Sequence, residues 1–136
     1  MAKRRNIHTV SFSGQTFTRT SASRTYAYLV VGKRSFLDAL SRAGRIEDTD
    51  ASNYRYWEKH NPERLSGYSD VKDYQEKRRE QRLKAVQAAK DEGFYDRFEA
   101  LAWCSRKDLA EKQAHAHRKF YIEVTILPVA VETKGS

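Results

Sequence analysis

The run from residue 70 to residue 92 constrains the fold more than any other stretch. It holds neither glycine nor proline, is rich in Lys, Arg, Glu, Gln and Ala, and stops at Gly93. Straight-chain residues and alanine lose little freedom in a helix, and glycine suits a C-terminal stop. Residues 70–92 are therefore expected to form one helix opened by Ser69 and Asp70, about 35 Å long at 1.5 Å per residue. Its apolar positions are few: Val71, Tyr74, Leu83, Val86 and Ala89, with a charged stretch at 77–82 between them. A stripe that thin does not belong to a helix buried all round. It fits one lying on a surface or packed along one seam against another helix.

Strand patterns flank this helix on both sides. Residues 7–12 alternate weakly, with Ile7, Thr9 and Ser11 set against His8, Val10 and Phe12, and Ser13 and Gly14 follow as a turn. Residues 15–19 are Thr-rich and strand-like, and the small polar residues 20–23 are expected to close a hairpin. Residues 25–31 are bulky at nearly every position, as for a strand covered on both faces, and are expected to end at Gly32, Lys33 and Arg34. Ser35 reads as the N-cap of a short helix over 36–43, with Asp38 completing a capping-box pattern and Gly44 as its stop. Residues 45–67 show no clean period and are expected to form a long irregular loop with about one helical turn. Residues 94–104 return to strand character, with Phe98, Ala100 and Ala102 on one face and Arg97, Glu99, Leu101 and Trp103 on the other. Ser105 and Asp108 form an S-x-x-D capping signature for a helix to about residue 119, with Leu109, Gln113, Ala116 and Phe120 on one stripe. Residues 121–131 read as the last strand, Pro128 demoting its far half, and the tail from Glu132 as short and polar.

The expected order is β-β-β-α-loop-α-β-α-β. This is an α+β chain with a small, mostly antiparallel sheet, the long helix 70–92 and a C-terminal β-α-β unit. At 136 residues it fits one domain, 1–136, with residues 1–6 as a flexible basic arm.

Composition removes several functional classes. The single cysteine, Cys104, rules out an intrachain disulfide scaffold. No apolar run reaches the roughly 18–20 residues of a membrane span, so no membrane partner is expected. The opening Met-Ala-Lys-Arg-Arg-Asn lacks the apolar segment of a secretory signal, and a cytosolic soluble protein is the expectation. The formal net charge of +8 arises in the first third, where nine basic side chains up to residue 45 face only Asp38. The rest of the chain is nearly neutral.

Three clusters could carry chemistry. At the strand-to-helix junction, Arg106 and Lys107 sit in a first helical turn, where cations oppose the macrodipole. An anion there would make sense of them: backbone N–H groups, the Ser105 hydroxyl and one guanidinium would converge on a phosphate. The plainer alternative is a capped helix with two solvated basic residues. Near the early connection stand Arg19 and Arg24, followed by Tyr26 and Tyr28. Arginine with aromatics can hold phosphate and stack on a base, or simply mark a solvated hairpin end over core tyrosines. In the middle segment Tyr54, Tyr56 and Trp57 interleave with Arg55, Lys59 and His60. That pattern suits base stacking, a protein interface, or a loop tucked down by its aromatics. Catalytic patterns are weak. His115 and His117 fall on different helix faces, no paired-His or Cys-x-x-Cys metal spacing occurs, and Walker and nucleophile-elbow motifs are absent. Neither a metal, a cofactor nor an enzymatic activity is expected.

Three stretches carry a resemblance: Phe17-Thr-Arg-Thr-Ser-Ala-Ser-Arg-Thr-Tyr-Ala-Tyr-Leu-Val-Val31, Ala102-Trp-Cys-Ser-Arg-Lys-Asp-Leu-Ala-Glu-Lys112, and Tyr121-Ile-Glu-Val-Thr-Ile-Leu127. Together they resemble the first type of phage Thoeris anti-defence sponge proteins. The likeness spans both ends of the chain and skips the middle. It implies a non-enzymatic protein in the cytoplasm of an infected bacterial host, binding cyclic ADP-ribose signals, and in some members cyclic oligonucleotides, without degrading them. It also implies a homodimer or higher homo-oligomer with pockets at the protomer interface. Carried over, Arg106 with Ser105 is the phosphate clamp, and Arg19 or Arg24 a second clamp. The base- or ribose-stacking candidates are Tyr26, Trp103, Tyr56 and Trp57, with Tyr54, Tyr68 and Phe94 also in the divergent stretch. Two alternatives stand beside it: a small basic nucleic-acid-binding protein, and a phage interaction protein whose aromatic segment caps a host enzyme.

Overall fold

The structure, a computed structural model, describes residues 4–135. The chain is an α+β protein and forms two compact units, one from residues up to 35 together with those from 95 on, the other from residues 36–94.

The first unit holds two three-stranded antiparallel sheets. Strand β1 (Arg5–Phe12) turns at Ser13 and Gly14 into β2 (Gln15–Ser21), with Phe12 opposite Gln15. Both turn residues have positive φ, 51° and 76°, which matches the right-handed twist of a two-residue hairpin. The residues 20–23 do not close a second hairpin. Strand β3 (Tyr28–Arg34) belongs to the other sheet, and the intervening segment crosses between sheets, its Arg24 carbonyl accepting from Asn6 Nδ2 at 3.0 Å and from the Ser21 hydroxyl.

The second sheet has the order β4-β3-β5, where β4 is Glu99–Cys104 and β5 is Tyr121–Pro128. Both neighbours run antiparallel to β3, so β4, helix α4 (Lys107–His117) and β5 form a split β-α-β unit with β3 between its strands. The central place of β3 explains its unbroken apolar run: Leu29, Val30 and Val31 are all fully buried. Leu29 and Val31 join Val10 and Phe98 in one core layer, while Val30 joins Cys104, Ala110 and Ala114 in the other. Gly32 does not end this strand. It lies inside it, buried, where a Cβ would come within 3.0 Å of Leu101 Cδ1 and 3.1 Å of Tyr121 Cβ.

Two face assignments need correction. On β4 the register slips between Val30 and Val31, which pair with Ala102 and Ala100 and leave Leu101 as the extra residue of a bulge. Alternation breaks there, so Trp103 packs on the Leu29 layer and Leu101 on the Val30 layer. On α4 the inward face is Ala110 and Ala114, both fully buried, rather than Leu109, Gln113, Ala116 and Phe120. Leu109 is 37 % and Phe120 63 % exposed. Two alanines a turn apart let the helix approach the sheet closely, and their small side chains weaken the periodic signal.

Both termini of this unit are more regular than expected. Arg5 and Asn6 lie in β1 rather than in an arm, while residues 1–3 fall outside the described residues. The tail contains a sixth strand, β6 (Ala130–Lys134), which pairs with β1 from Arg5 opposite Lys134 to Thr9 opposite Ala130. The chain changes sheet after Pro128, where the Val129 N–H donates to the Ala27 carbonyl at 3.0 Å.

The second unit is helical. Helix α1 (Phe36–Ala43) has the expected bounds, and Gly44 follows with its N–H on the Leu40 carbonyl. The expected loop 45–67 is instead helix α2 (Asp48–His60) followed by a 3-10 turn, Pro62–Leu65. The reason is that α2 faces inward with a charge. Asp50 is buried and bonds Arg82 on α3 (Val71–Asp91) at 2.6 Å, while Tyr54, one turn on, meets Tyr74 at 5.6 Å. Helix α3 is capped reciprocally: Asp70 accepts from the Asp73 N–H at 2.8 Å, and Asp73 accepts from the Ser69 N–H at 3.0 Å. Its thin apolar seam packs against α1 and α2 of the same chain.

Candidate functional site

The strand-to-helix junction of the first unit opens into a pocket of about 320 Å³ lined by Arg24, Tyr26, Ala102, Trp103, Cys104, Ser105, Leu109 and Gln113. Its back wall is the end of β4, its side the first turns of α4, and its rim the sheet-crossing segment that carries Arg24 and Tyr26. That segment is docked by the Ala27 N–H, which donates to the Cys104 carbonyl at 2.9 Å.

Four expected site residues therefore come together: Arg24, Tyr26, Trp103 and Ser105. Tyr26 is buried, and the Arg19 guanidinium lies 4.8 Å from its ring centroid, so Arg19 reaches the site through Tyr26 rather than by lining it. Arg24 is exposed, and its guanidinium forms no ion pair among the described residues. It is the cation at hand for an anionic ligand.

Arg106 takes a different place from the one expected. It is itself the N-cap residue of α4, with extended backbone at φ −129° and ψ 150° and no side-chain cap, so Ser105 stands one position before the cap. Its Nε pairs with Asp108 Oδ1 at 3.2 Å, it is well exposed, and it is not among the lining residues. An exposed pair of this kind contributes at most about 1 kcal/mol, so the pairing is weak. Without a capping side chain, the leading N–H groups of α4 and the positive end of its dipole remain directed at the junction.

The middle aromatics belong to the other unit. Trp57 lies under the Arg64 guanidinium at 4.0 Å, and Tyr56 packs on Trp57 and on His60 at 5.0 and 4.4 Å. Tyr54 and Tyr68 both meet Tyr74, which is the tucked-down arrangement in place of a free stacking surface. Phe94 lies in the 3-10 turn Phe94–Asp96 and is 42 % exposed.

Sequence reasoning missed four contributors. Leu109 and Gln113, one turn apart on α4, line the pocket because the two alanines take the face toward the sheet. Cys104 lines it too, and burial pushes its thiol up, which keeps it protonated and unreactive. His8, fully buried in β1, accepts from the Tyr26 N–H through Nε2 at 2.9 Å and donates from Nδ1 to the Arg19 carbonyl at 3.0 Å. Its place beside Val10 and Phe12 in the alternation was the one available signal that it faces inward.

Among the described residues no group of three or more His, Cys, Asp or Glu is arranged to hold a metal ion, and no helix is long and apolar enough to cross a membrane. Comparison with protein-family models, with curated proteins and with solved structures finds no match.

Proposed function

We propose that the protein binds and sequesters a cyclic nucleotide signal of the cyclic ADP-ribose type, without cleaving it, and so blocks a Thoeris-type defence in the cytoplasm of an infected bacterial host. The observation that carries this reading is the pocket at the uncapped start of α4, where the Arg24 guanidinium, in no ion pair among the described residues, stands with two aromatic side chains, Tyr26 and Trp103. Its chemistry suits a phosphate-bearing ligand with a base. Backbone N–H groups and a cation hold the anion, and the Trp103 ring stacks on the base, Tyr26 being buried against Arg19 and His8 as part of the wall. The lining offers neither a carboxylate nor an imidazole, and its thiol is kept protonated, which supports holding over turnover.

The homodimer or higher homo-oligomer remains part of the proposal. Its support is exposed apolar surface on the helical unit, with Leu37 75 % and Ile46 48 % exposed. Helix α3 adds no support, because α1 and α2 already pack on that helix.

Calorimetric titration with cyclic ADP-ribose isomers and cyclic di- and trinucleotides tests the reading. Saturable binding that weakens only modestly between about 50 and 200 mM salt supports it, since a groove lying on many phosphates loses orders of magnitude over that range. Silence from every cyclic ligand overturns it, and tight, steeply salt-dependent binding of DNA or RNA replaces it with the nucleic-acid reading.

A further inference from the structure

We infer that His8 is a positioning residue for this pocket, and that adding a proton to it releases the segment bearing Arg24 and Tyr26. This rests on reading the pocket as the ligand site.

The imidazole has no freedom in its bonding. A backbone N–H can only donate, so the bond from the Tyr26 N–H at 2.9 Å requires a bare Nε2. The ring proton then sits on Nδ1, which donates to the Arg19 carbonyl at 3.0 Å. Both nitrogens are used, the ring is neutral and it is fully buried. It also meets the Tyr26 ring at 5.0 Å and the Trp103 ring at 6.2 Å. One side chain on β1 therefore meets two lining residues, Tyr26 on the rim and Trp103 on the back wall, and the backbone of Arg19 on β2.

The rim depends on such ties. Strand β2 ends at Ser21 and β3 begins at Tyr28, so residues 22–27 have no place in either sheet ladder. They are held by the two bonds to the Arg24 carbonyl, the two backbone bonds of Ala27 (its N–H to the Cys104 carbonyl, its carbonyl from the Val129 N–H) and, at Tyr26, the bond to His8.

Protonation sets this arrangement against itself. An imidazolium donates from both nitrogens, so its Nε2–H would face the Tyr26 N–H, donor against donor. The charged groups around the ring do not soften this. From β2 comes the Arg19 guanidinium, itself a cation; the rim carries Arg24 and the Tyr26 hydroxyl; β4 contributes the neutral Trp103 indole. On β6 the register partner is Val131, while Glu132 lies opposite Ile7, whose side chain alternates to the other face. None of the ion pairs among the described residues involves His8. Relief comes from moving residues 22–27 away, which takes Tyr26 off its seat and Arg24 out of the pocket.

The test combines imidazole and amide NMR of the ligand-free protein with calorimetric titration of cyclic ADP-ribose, both repeated as the pH is lowered until the His8 ring is seen to gain its proton. The expected result is a neutral His8 with its proton on Nδ1, and a Tyr26 amide whose hydrogen-bonded shift is lost as His8 titrates. Affinity for cyclic ADP-ribose is expected to fall about tenfold in step, the size of one lost buried hydrogen bond. The variant His8→Gln, whose amide oxygen can still accept from the Tyr26 N–H, is expected to bind without that pH dependence, whereas His8→Leu binds weakly at every pH. A proton on Nε2, a Tyr26 amide indifferent to the His8 titration, or the same pH profile in His8→Gln overturns the inference. If the NMR behaves as expected and cyclic ADP-ribose does not bind, the tie between His8 and the rim stands and the ligand assignment falls.

Discussion

Replacing Asp50 by alanine should destabilise the helical unit by about 2–3 kcal/mol. The Asp50 side chain is 7 % exposed. Oδ2 lies 2.6 Å from Arg82 Nη1, and Oδ1 lies 3.8 Å from Arg78 Nε. Arg82 is also tied by Nη2 to the Arg45 carbonyl at 2.9 Å, and its Nε is buried with no partner among the described residues. Deleting one member of a fully buried pair costs about 3–5 kcal/mol, because the remaining charge is stranded. Here the arginine side chains are 28 % and 45 % exposed, so water recovers part of that loss and the lower figure follows. The assay is urea unfolding followed by Trp57 fluorescence in a Trp103→Phe background, which reports the helical unit alone. A second arm replaces the pair together, Asp50→Leu with Arg82→Met, and should recover most of the stability, as apolar replacements of buried pairs commonly do. A loss below about 0.5 kcal/mol for Asp50→Ala, the usual size for a surface substitution, would refute the claim that α2 is seated by this carboxylate.

Other consequences follow from the same geometry. Gly32→Ala places a methyl against Leu101, Tyr121 and Val124 at 3.0–3.3 Å and should cost about 1–3 kcal/mol by urea unfolding, as overpacked cores do. Arg24→Ala should weaken cyclic ADP-ribose binding more than Arg106→Ala does, because Arg24 lines the pocket and Arg106 is paired with Asp108; the reverse order by calorimetry would return Arg106 to the leading role. The Ser69 N–H, and after it Lys77, holds the Asp73 carboxyl below the usual carboxylate range. Its contribution is therefore present above the ordinary aspartate value of about 3.9 and is lost as pH falls through the lower folded value. An acid titration should show the Ser69 amide shift collapsing only below that ordinary value, and in Asp73→Asn the step should vanish.

The parts of the fold that were legible are those whose signal is local. Ser13 and Gly14 mark their hairpin because few other residue pairs tolerate the backbone, and Leu29, Val30 and Val31 announce a central strand by being apolar on both faces. Helix α3 declares itself by composition and by a cap built within five residues, Ser69 to Asp73. What stayed hidden depends on partners distant in sequence. Helix α2 lacks an apolar period because its inward anchor is Asp50, answered by Arg82. Strand β6 is exposed throughout, and only the ladder to β1, at the other end of the chain, makes it a strand. The bulge at Leu101 is a property of pairing with β3. The site divides in the same way. Arg24, Tyr26, Trp103 and Ser105 stood out as types suited to phosphate and base, whereas Gln113 and His8 acquire meaning only once α4 has turned its alanines inward and β1 has come up beside the rim.

The central claim is that this pocket holds a cyclic nucleotide and returns it unchanged. The most direct measurement is to mix the protein with cyclic ADP-ribose, isolate the protein by gel filtration, denature it by heat and chromatograph what is released. Retention in the protein fraction, abolished by Arg24→Ala with Trp103→Ala and followed by release of intact cyclic ligand, is the predicted result. A protein fraction that carries no nucleotide, or one that releases only a linear product, would contradict it.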